Sequence, residues 1–207
     1  MLKNIVVAAC FALLAVSQAA NAWGSKGHQT VAVIAADEIK SDAVKQKIAA
    51  LLGTKDAVTG MQQVATWADE IRHAQPATAP WHFTDIEISS SGYDAARDCA
   101  NDNCSIAQID KDVAILKDAT KPQANRITAL KFLIHFVGDL HQPLHSSDNN
   151  DRGGNEDAVT TIDGCKEFHA VWDTAMVDYI MTVQHLPTLP KSTNSAGRCW
   201  KIGRAHV

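Results

Sequence analysis

The sequence predicts a mainly helical, single domain, and three observations predict it. From Thr30 onward apolar residues recur at the three-to-four-residue spacing of helix faces. Helix-start and helix-stop residues bracket those stripes. One run, residues 127–140, is apolar on nearly every side (Ile127, Leu130, Phe132, Leu133, Ile134, Phe136, Val137, Leu140), as a helix buried in the middle of a domain must be. With 207 residues and 46% hydrophobic content, the chain can fill one core, and nothing divides it into two.

The first stripe is Val31, Ile34 and Ala35. Ser41 is placed to cap a second helix with Val44, Ile48, Leu51 and Leu52 on one face, and Gly53 ends it. Met61, Val64, Ala65, Ala68 and Ile71 form a third stripe, on a helix that carries Asp69 and Arg72 one turn apart. Taken alone, that pair reads as a surface ion pair, worth about 0–1 kcal/mol. Residues 76–80 hold two prolines and read as a linker, and Trp81-His82-Phe83-Thr84-Asp85-Ile86 reads as extended, with His82 a core histidine between aromatics. Residues 89–105 form a polar loop, after which Ser105 and Gln108 make a capping box for a helix along Ile106, Ile109, Val113 and Leu116. The central apolar helix follows, and Pro143 stops it. Residues 146–155 are a turn-rich loop too polar for a core, and a last helix carries Trp172, Ala175, Met176, Tyr179 and Val183.

The N-terminus indicates the compartment. A short basic start, an apolar run over residues 5–16 and the small-x-small site Ala20-Asn21-Ala22 read as a secretory signal peptide over residues 1–22, too short to span a membrane. Its removal leaves Cys99, Cys104, Cys165 and Cys199, and an exported chain favours disulfides among them. Cys99 and Cys104 are near enough to bridge; Cys165 and Cys199 remain as a second possible pair. Localisation is expected to be secreted or periplasmic, with no stable membrane association. A formal charge of -4 excludes a basic groove as the means of holding nucleic acid, unless bound metal supplies the positive charge.

The chemistry concentrates in short histidine clusters. His135 and Asp139 interrupt the apolar central helix at i and i+4, one above the other on one face. A buried carboxylate beside a buried imidazole costs several kcal/mol unless compensated, and a divalent cation compensates both. His145 lies just beyond Pro143, and His169 with Asp173 repeats the i, i+4 arrangement. If Trp23 becomes the mature N-terminus, its free amine, which titrates near pH 7.7–8, can join His28 as a metal ligand. With no phosphate-binding glycine loop, nucleophile elbow or zinc-finger cysteine spacing, metal-assisted hydrolysis is the chemistry these residues favour.

Five motifs then occur in order: Trp-Gly-x-x-Gly-His at residues 23–28, Trp-Ala-Asp at 67–69, Trp-His-Phe at 81–83, His-Phe-Val-Gly-Asp-Leu-His-Gln-Pro-Leu-His at 135–145, and His-x-x-Trp-Asp at 169–173. Together they resemble the secreted zinc-dependent single-strand nucleases, the S-one/P-one nuclease family. The resemblance implies an all-α fold, like that of the zinc phospholipases C and these nucleases, with a cleft holding three Zn2+. It implies one zinc on Asp69, His82, His135 and Asp139, a second on His28 and the Trp23 amine and carbonyl, bridged through Asp139, and a third on His145, His169 and Asp173. It also implies that Asp69 orients the nucleophile, that Arg72 and Asn155 contact phosphate, and that Phe83 and Asp85 hold a base. The expected substrates are single-stranded DNA or RNA and 3′-nucleotides, cleaved to 5′-phosphate products. Such dications lower the pKa of water from 15.7 towards about 7.

A zinc-dependent phospholipase C shares this order of ligands, but Asp173 in the last ligand position and the Trp-Ala-Asp-x-x-Arg context favour the nuclease. A secreted zinc-binding protein without catalysis, an inactive fragment, is the other alternative. The family continues beyond the last ligand, so residues 23–200 are expected to be a zinc nuclease domain incomplete at its C-terminal end. Residues 201–207 resemble a translated sequencing adapter and are expected to be artefactual; His206 therefore carries no functional weight.

Overall fold

The structure is a computed structural model, and it describes residues 23–160 and 166–184. The helices are α1 (Ser25–Glu38), α2 (Asp42–Leu52), α3 (Ala57–Val64), α4 (Trp67–Arg72), α5 (Ala95–Asp98), α6 (Ser105–Lys117), α7 (Gln123–Leu140), α8 (Phe168–Ala170) and α9 (Met176–Val183). Tight 3₁₀ turns cover Pro76–His82 and Pro143–His145, and a wide π turn, Val171–Ala175, joins α8 to α9. Among the described residues the only ladder pairings are two isolated bridges, Glu87 with Asp148 and Ala158 with Glu167. The mainly helical expectation therefore holds. No helix among these residues is long and apolar enough to cross a membrane. The signal segment, Cys165, Cys199 and the C-terminal tail lie outside the described residues.

Helices α1, α2, α3, α4 and α6 pack against α7, which meets them on more than one face. Leu130 and Ile134 join Ala32 and Ala36 of α1 and Met61 of α3 in one core cluster, with Ile48, Leu51 and Leu116 around it. Phe132 and Phe136 face the other way, stacked with centroids 5.1 Å apart, and meet Ala68, Trp67 and Trp81. Both tryptophans stand edge-on to Phe132, the arrangement that sets a positive ring edge on a negative face. The third face presents His135 and Asp139, both 0% exposed. A polar pair held this deep is fixed in direction by apolar packing on both sides.

Several local signals act as read. Ser41 Oγ accepts the Val44 N–H, and Gly53 ends α2 with φ +69°. Cys99 and Cys104 form a disulfide.

Other signals are overruled. The Met61-to-Ile71 stripe is two helices, because the Ala65 carbonyl accepts from the His135 ring at 2.6 Å instead of continuing a helix. That break re-aims α4, and with it Asp69. The segment read as extended from Trp81 begins as the 3₁₀ turn, preset by Pro76 and Pro80, and becomes extended at Phe83. Ser105 is not a cap: Cys104 is, while the buried Ser105 hydroxyl pairs with Thr84 at 2.8 Å and Gln108 donates to the Asp102 carbonyl.

Asp112 on α6 is buried, and its Oδ2 has no hydrogen-bond partner. Burial pushes its carboxyl from 3.8 up to about 7, against a smaller opposing pull from Lys111. A folded-state pKa above the unfolded one means the native state keeps a proton that the unfolded chain has lost. Stability therefore falls as pH rises from about 4 to about 7. Asp112→Asn is expected to leave the melting temperature unchanged at pH 4 and to raise it at pH 8. After discounting for solvent screening the gain is about 1–2 kcal/mol, or about 2–8 °C by calorimetry.

A candidate metal centre

Donor atoms from α1, α4, the first 3₁₀ turn and α7 converge on Asp139. His82 Nδ1 lies 3.2 Å and His135 Nε2 3.4 Å from Asp139 Oδ2, and these two nitrogens are 3.0 Å apart. Asp69 Oδ1 stands 3.7 Å from each of them. On the other side of the same carboxylate, His28 Nε2 lies 3.3 Å from Asp139 Oδ1 and 3.9 Å from Asp69 Oδ2. Asp139 thus turns one oxygen to each of two neighbouring donor sets, and Asp69 does so at longer range. A third set sits past the end of α7, where His145 Nε2 and His169 Nε2 are 3.2 Å apart and Asp173 Oδ2 is 3.3 Å from His169. Among the described residues, the groups of histidine and acid able to hold a metal ion are His28 with His135 and Asp139, Asp69 with His82 and His135, and His145 with His169 and Asp173, so His135 borders both of the first two sets.

Four donors at 2.0–2.1 Å around a tetrahedral zinc stand about 3.3 Å from one another. The separations within the sets centre on that value.

The chemistry of the donors fits a cation. His135 Nδ1 donates to the Ala65 carbonyl, His145 Nδ1 to the His82 carbonyl at 2.7 Å, and His169 Nδ1 to the Gly153 carbonyl at 2.6 Å. Each backbone carbonyl fixes the ring proton on Nδ1 and leaves Nε2 a bare lone pair. His145 Nε2 and His169 Nε2 are then two acceptors facing each other, which no hydrogen bond between them can satisfy. Buried side-chain atoms without a partner also gather here: both ring nitrogens of His28, His82 Nε2, Asp69 Oδ1 and both oxygens of Asp139. A buried polar atom normally finds a partner, so this concentration marks a place for a ligand.

Electrostatics agree. Burial, reinforced by neighbouring imidazoles, holds His28 and His82 well below the ordinary histidine value. His145 is pushed down to about 3, first by burial and then by His169. Burial raises Asp139 and Asp173 well above the carboxylate range; the Asp69 charge adds to both, while a hydrogen bond from Gln142 opposes the rise in Asp173. Neutral imidazoles and reluctant carboxylates are what a site built for dications looks like in the absence of positive charge.

The other sequence-predicted residues surround these sets. Trp23 is half-buried and its terminal segment is docked: the Gly24 N–H donates to the Asp173 carbonyl at 2.6 Å. Gly27 lets Trp23 fold back, since a Cβ there would stand 2.7 Å from the Trp23 Cβ. Arg72 is 7% exposed, so it is no surface residue; its Nη1 lies 3.9 Å from Asp69 Oδ1, beside the first set. Phe83 is 37% exposed and follows His82 directly, with Asp85 open to solvent two residues on. Asn155 is half-buried, and its amide donates to the Arg152 carbonyl rather than towards a donor set. His141, though inside the longest motif, is exposed and takes no part.

Three residues escaped the sequence reading. Gly138 makes room for His28, because a Cβ there would meet His28 Nδ1 at 2.8 Å. Asp148 ties two loops together: Oδ1 accepts the Gly153 N–H, whose carbonyl holds His169, and its backbone pairs with Ile86 and Ile88. Gln142, 0% exposed, donates to Asp173 Oδ1 at 2.8 Å. Its place between two histidines of one motif was the available signal. Asp173 itself sits in the π turn rather than in a regular helix, a distortion common at functional sites.

A model of the S1/P1 Nuclease family matches residues 23–199. Nuclease S1 of Aspergillus oryzae is 36% identical over 170 residues, 80% of this chain and 58% of its own length. Nuclease P1 of Penicillium citrinum is 36% identical over 160 residues, covering 74% of this chain and 58% of its own. Endonuclease 4 of Arabidopsis thaliana is 32% identical over 180 residues, covering 81% and 60%. The chain therefore spans 58–60% of the length of these relatives. Since the family match takes in most of the chain, including every residue of the three donor sets, this chain belongs to the S1/P1 nuclease family.

Proposed function

We propose that this chain, as exported and processed to begin at Trp23, is a zinc-dependent phosphodiesterase. It cleaves single-stranded DNA and RNA to 5′-phosphate products and acts on 3′-nucleotides. The observation that carries this reading is the spacing of the donor sets, near 3.3 Å within each, the first two joined through Asp139, with the Arg72 guanidinium beside the first. Zinc held by Asp69, His82, His135 and Asp139, by His28 with the Trp23 amine and carbonyl, and by His145, His169 and Asp173 would supply an activated water and neutralise charge developing on phosphate.

The chain's own groups do the rest. Asp69, with its second oxygen turned towards His28, accepts a proton-bearing contact from the attacking water and orients it in line with phosphorus. Arg72 gives fixed N–H donors to the non-bridging oxygens, a geometry a guanidinium matches well. Asn155 adds a further donor once its amide turns from the Arg152 carbonyl. Phe83 presents an exposed ring for a base to stack on, and Asp85 accepts from the base edge. A base in a duplex must leave its stack to reach them, which favours single strands.

Stacking on an aromatic is worth about 1–3 kcal/mol per base. Phe83→Ala is therefore expected to lower kcat/KM on single-stranded DNA by about 10–100-fold while leaving zinc content unchanged. The function itself is tested by giving zinc-loaded protein single-stranded DNA, RNA, duplex DNA, a 3′-nucleotide and phosphatidylcholine vesicles. Cleavage of the single strands and release of phosphate from the 3′-nucleotide are expected, with duplex cut far more slowly. Hydrolysis of phosphatidylcholine instead would make it a phospholipase. Full zinc loading without any phosphodiester cleavage would make it a non-catalytic zinc-binding chain.

A further inference from the structure

We infer that Gln142 is the positioning residue of the third donor set, fixing which atom of Asp173 is offered to a cation. The inference rests on the reading that His145, His169 and Asp173 hold a metal. Gln142 is 0% exposed and each end of its amide is used. Nε2 donates to Asp173 Oδ1 at 2.8 Å, and Oε1 accepts the Leu144 N–H at 2.6 Å. The first bond occupies one carboxylate oxygen, so Oδ2 is left facing His169 Nε2 at 3.3 Å. The second bond locks the Pro143–His145 turn that carries His145.

The backbone of the same residue continues the connection. Its N–H donates to the Asp139 carbonyl at 2.9 Å, and its carbonyl accepts the His145 N–H at 2.9 Å. One residue thus joins the helix end that carries the shared carboxylate, the turn that carries His145, and Asp173, which is 31 positions away. A glutamine needed merely to satisfy buried backbone groups would use its carbonyl alone. Here the amide N–H₂ is spent on a carboxylate that has no other assigned partner than the donor set. Outer partners of this kind typically change metal affinity by about 10–100-fold when removed.

The test compares wild type, Gln142→Glu and Gln142→Leu in the chain processed to begin at Trp23. Glu keeps the shape and the acceptor for Leu144 but replaces the donor with a negative oxygen against Asp173. Leu keeps the volume and removes both bonds. Co²⁺ is titrated into metal-free protein, and stoichiometry, affinity and the visible absorption of the bound ion are read, with Asp173→Ala marking the transitions that belong to the third set. Both variants are expected to bind two ions as wild type does and the third about 10–100-fold more weakly, with an altered third spectrum. A general folding defect would not single out one ion of three, and if the leucine variant fails to fold, the glutamate variant carries the comparison. Unchanged affinity and spectrum for all ions in Gln142→Glu would overturn the inference while leaving the metal reading intact. If Asp173→Ala removes no ion from wild type, the metal reading of that set itself is overturned.

Discussion

Chelation of metal from this protein is expected to abolish phosphodiester cleavage and to lower the melting temperature by at least about 10 °C, both restored by adding zinc. The expectation follows from the donors themselves: Asp139 is fully buried with neither oxygen hydrogen-bonded by the chain, and both ring nitrogens of His28 and Nε2 of His82 are buried without a hydrogen-bond partner. Such groups oppose folding, since a buried polar atom without a partner costs about 1–3 kcal/mol. A cation that binds only the folded chain reverses this, contributing about 4 kcal/mol per site when present at a thousandfold excess over its Kd. For a domain of this size each kcal/mol moves the midpoint by about 2–4 °C. Calorimetry and a single-strand cleavage assay on the same stripped and reloaded samples check both halves. An unchanged midpoint on stripping would mean that the donors are satisfied in some other way.

Asp139→Asn is expected to be the most damaging single substitution, lowering kcat/KM by a thousandfold or more, about 4 kcal/mol in transition-state terms. Both carboxylate oxygens are committed: Oδ2 to the side of His82 and His135, Oδ1 to the side of His28. An asparagine can offer an oxygen to one side only, and to the other it turns an N–H₂ that repels a cation. Two ions should therefore be lost or weakened together, whereas Asp173→Ala should remove one. No group of the chain donates a hydrogen bond to either oxygen of Asp139, so Asp139→Asn stripped with chelator should melt no lower than wild type stripped in the same way. Zinc stoichiometry, kcat/KM and the two melting curves separate this from simple misfolding; loss of only one ion would mean that Asp139 does not bridge.

The sequence made the candidate donor side chains legible because burial and charge conflict so sharply in them. His135 and Asp139 stand out on an otherwise apolar helix, and His169 with Asp173 repeats their spacing. The helices were legible for the ordinary reason that Ser41 and Gly53 carry their own conformational preferences. What stayed hidden depends on contacts between distant segments. The end of α3 is decided by a ring on α7, seventy positions away, drawing the Ala65 carbonyl out of the helix. Arg72 looked like half of a surface pair because its burial is set by elements that sequence spacing does not mention. The Ser105 hydroxyl serves Thr84, again across a long separation. Gln142 and Asp148 act through other residues, so neither interrupts a pattern strongly enough to announce itself.

Each of the three donor sets is expected to hold a zinc ion, one of them completed by the amine of a processed Trp23. Anomalous diffraction at the zinc edge, on crystals of protein whose N-terminus has been verified as Trp23, tests it most directly. Three peaks are expected: one among Asp69, His82, His135 and Asp139, one between His28 and the Trp23 terminus on the other side of Asp139, and one among His145, His169 and Asp173. Peaks confined to exposed side chains, or none in well-folded protein, would mean that the donor sets do not bind zinc.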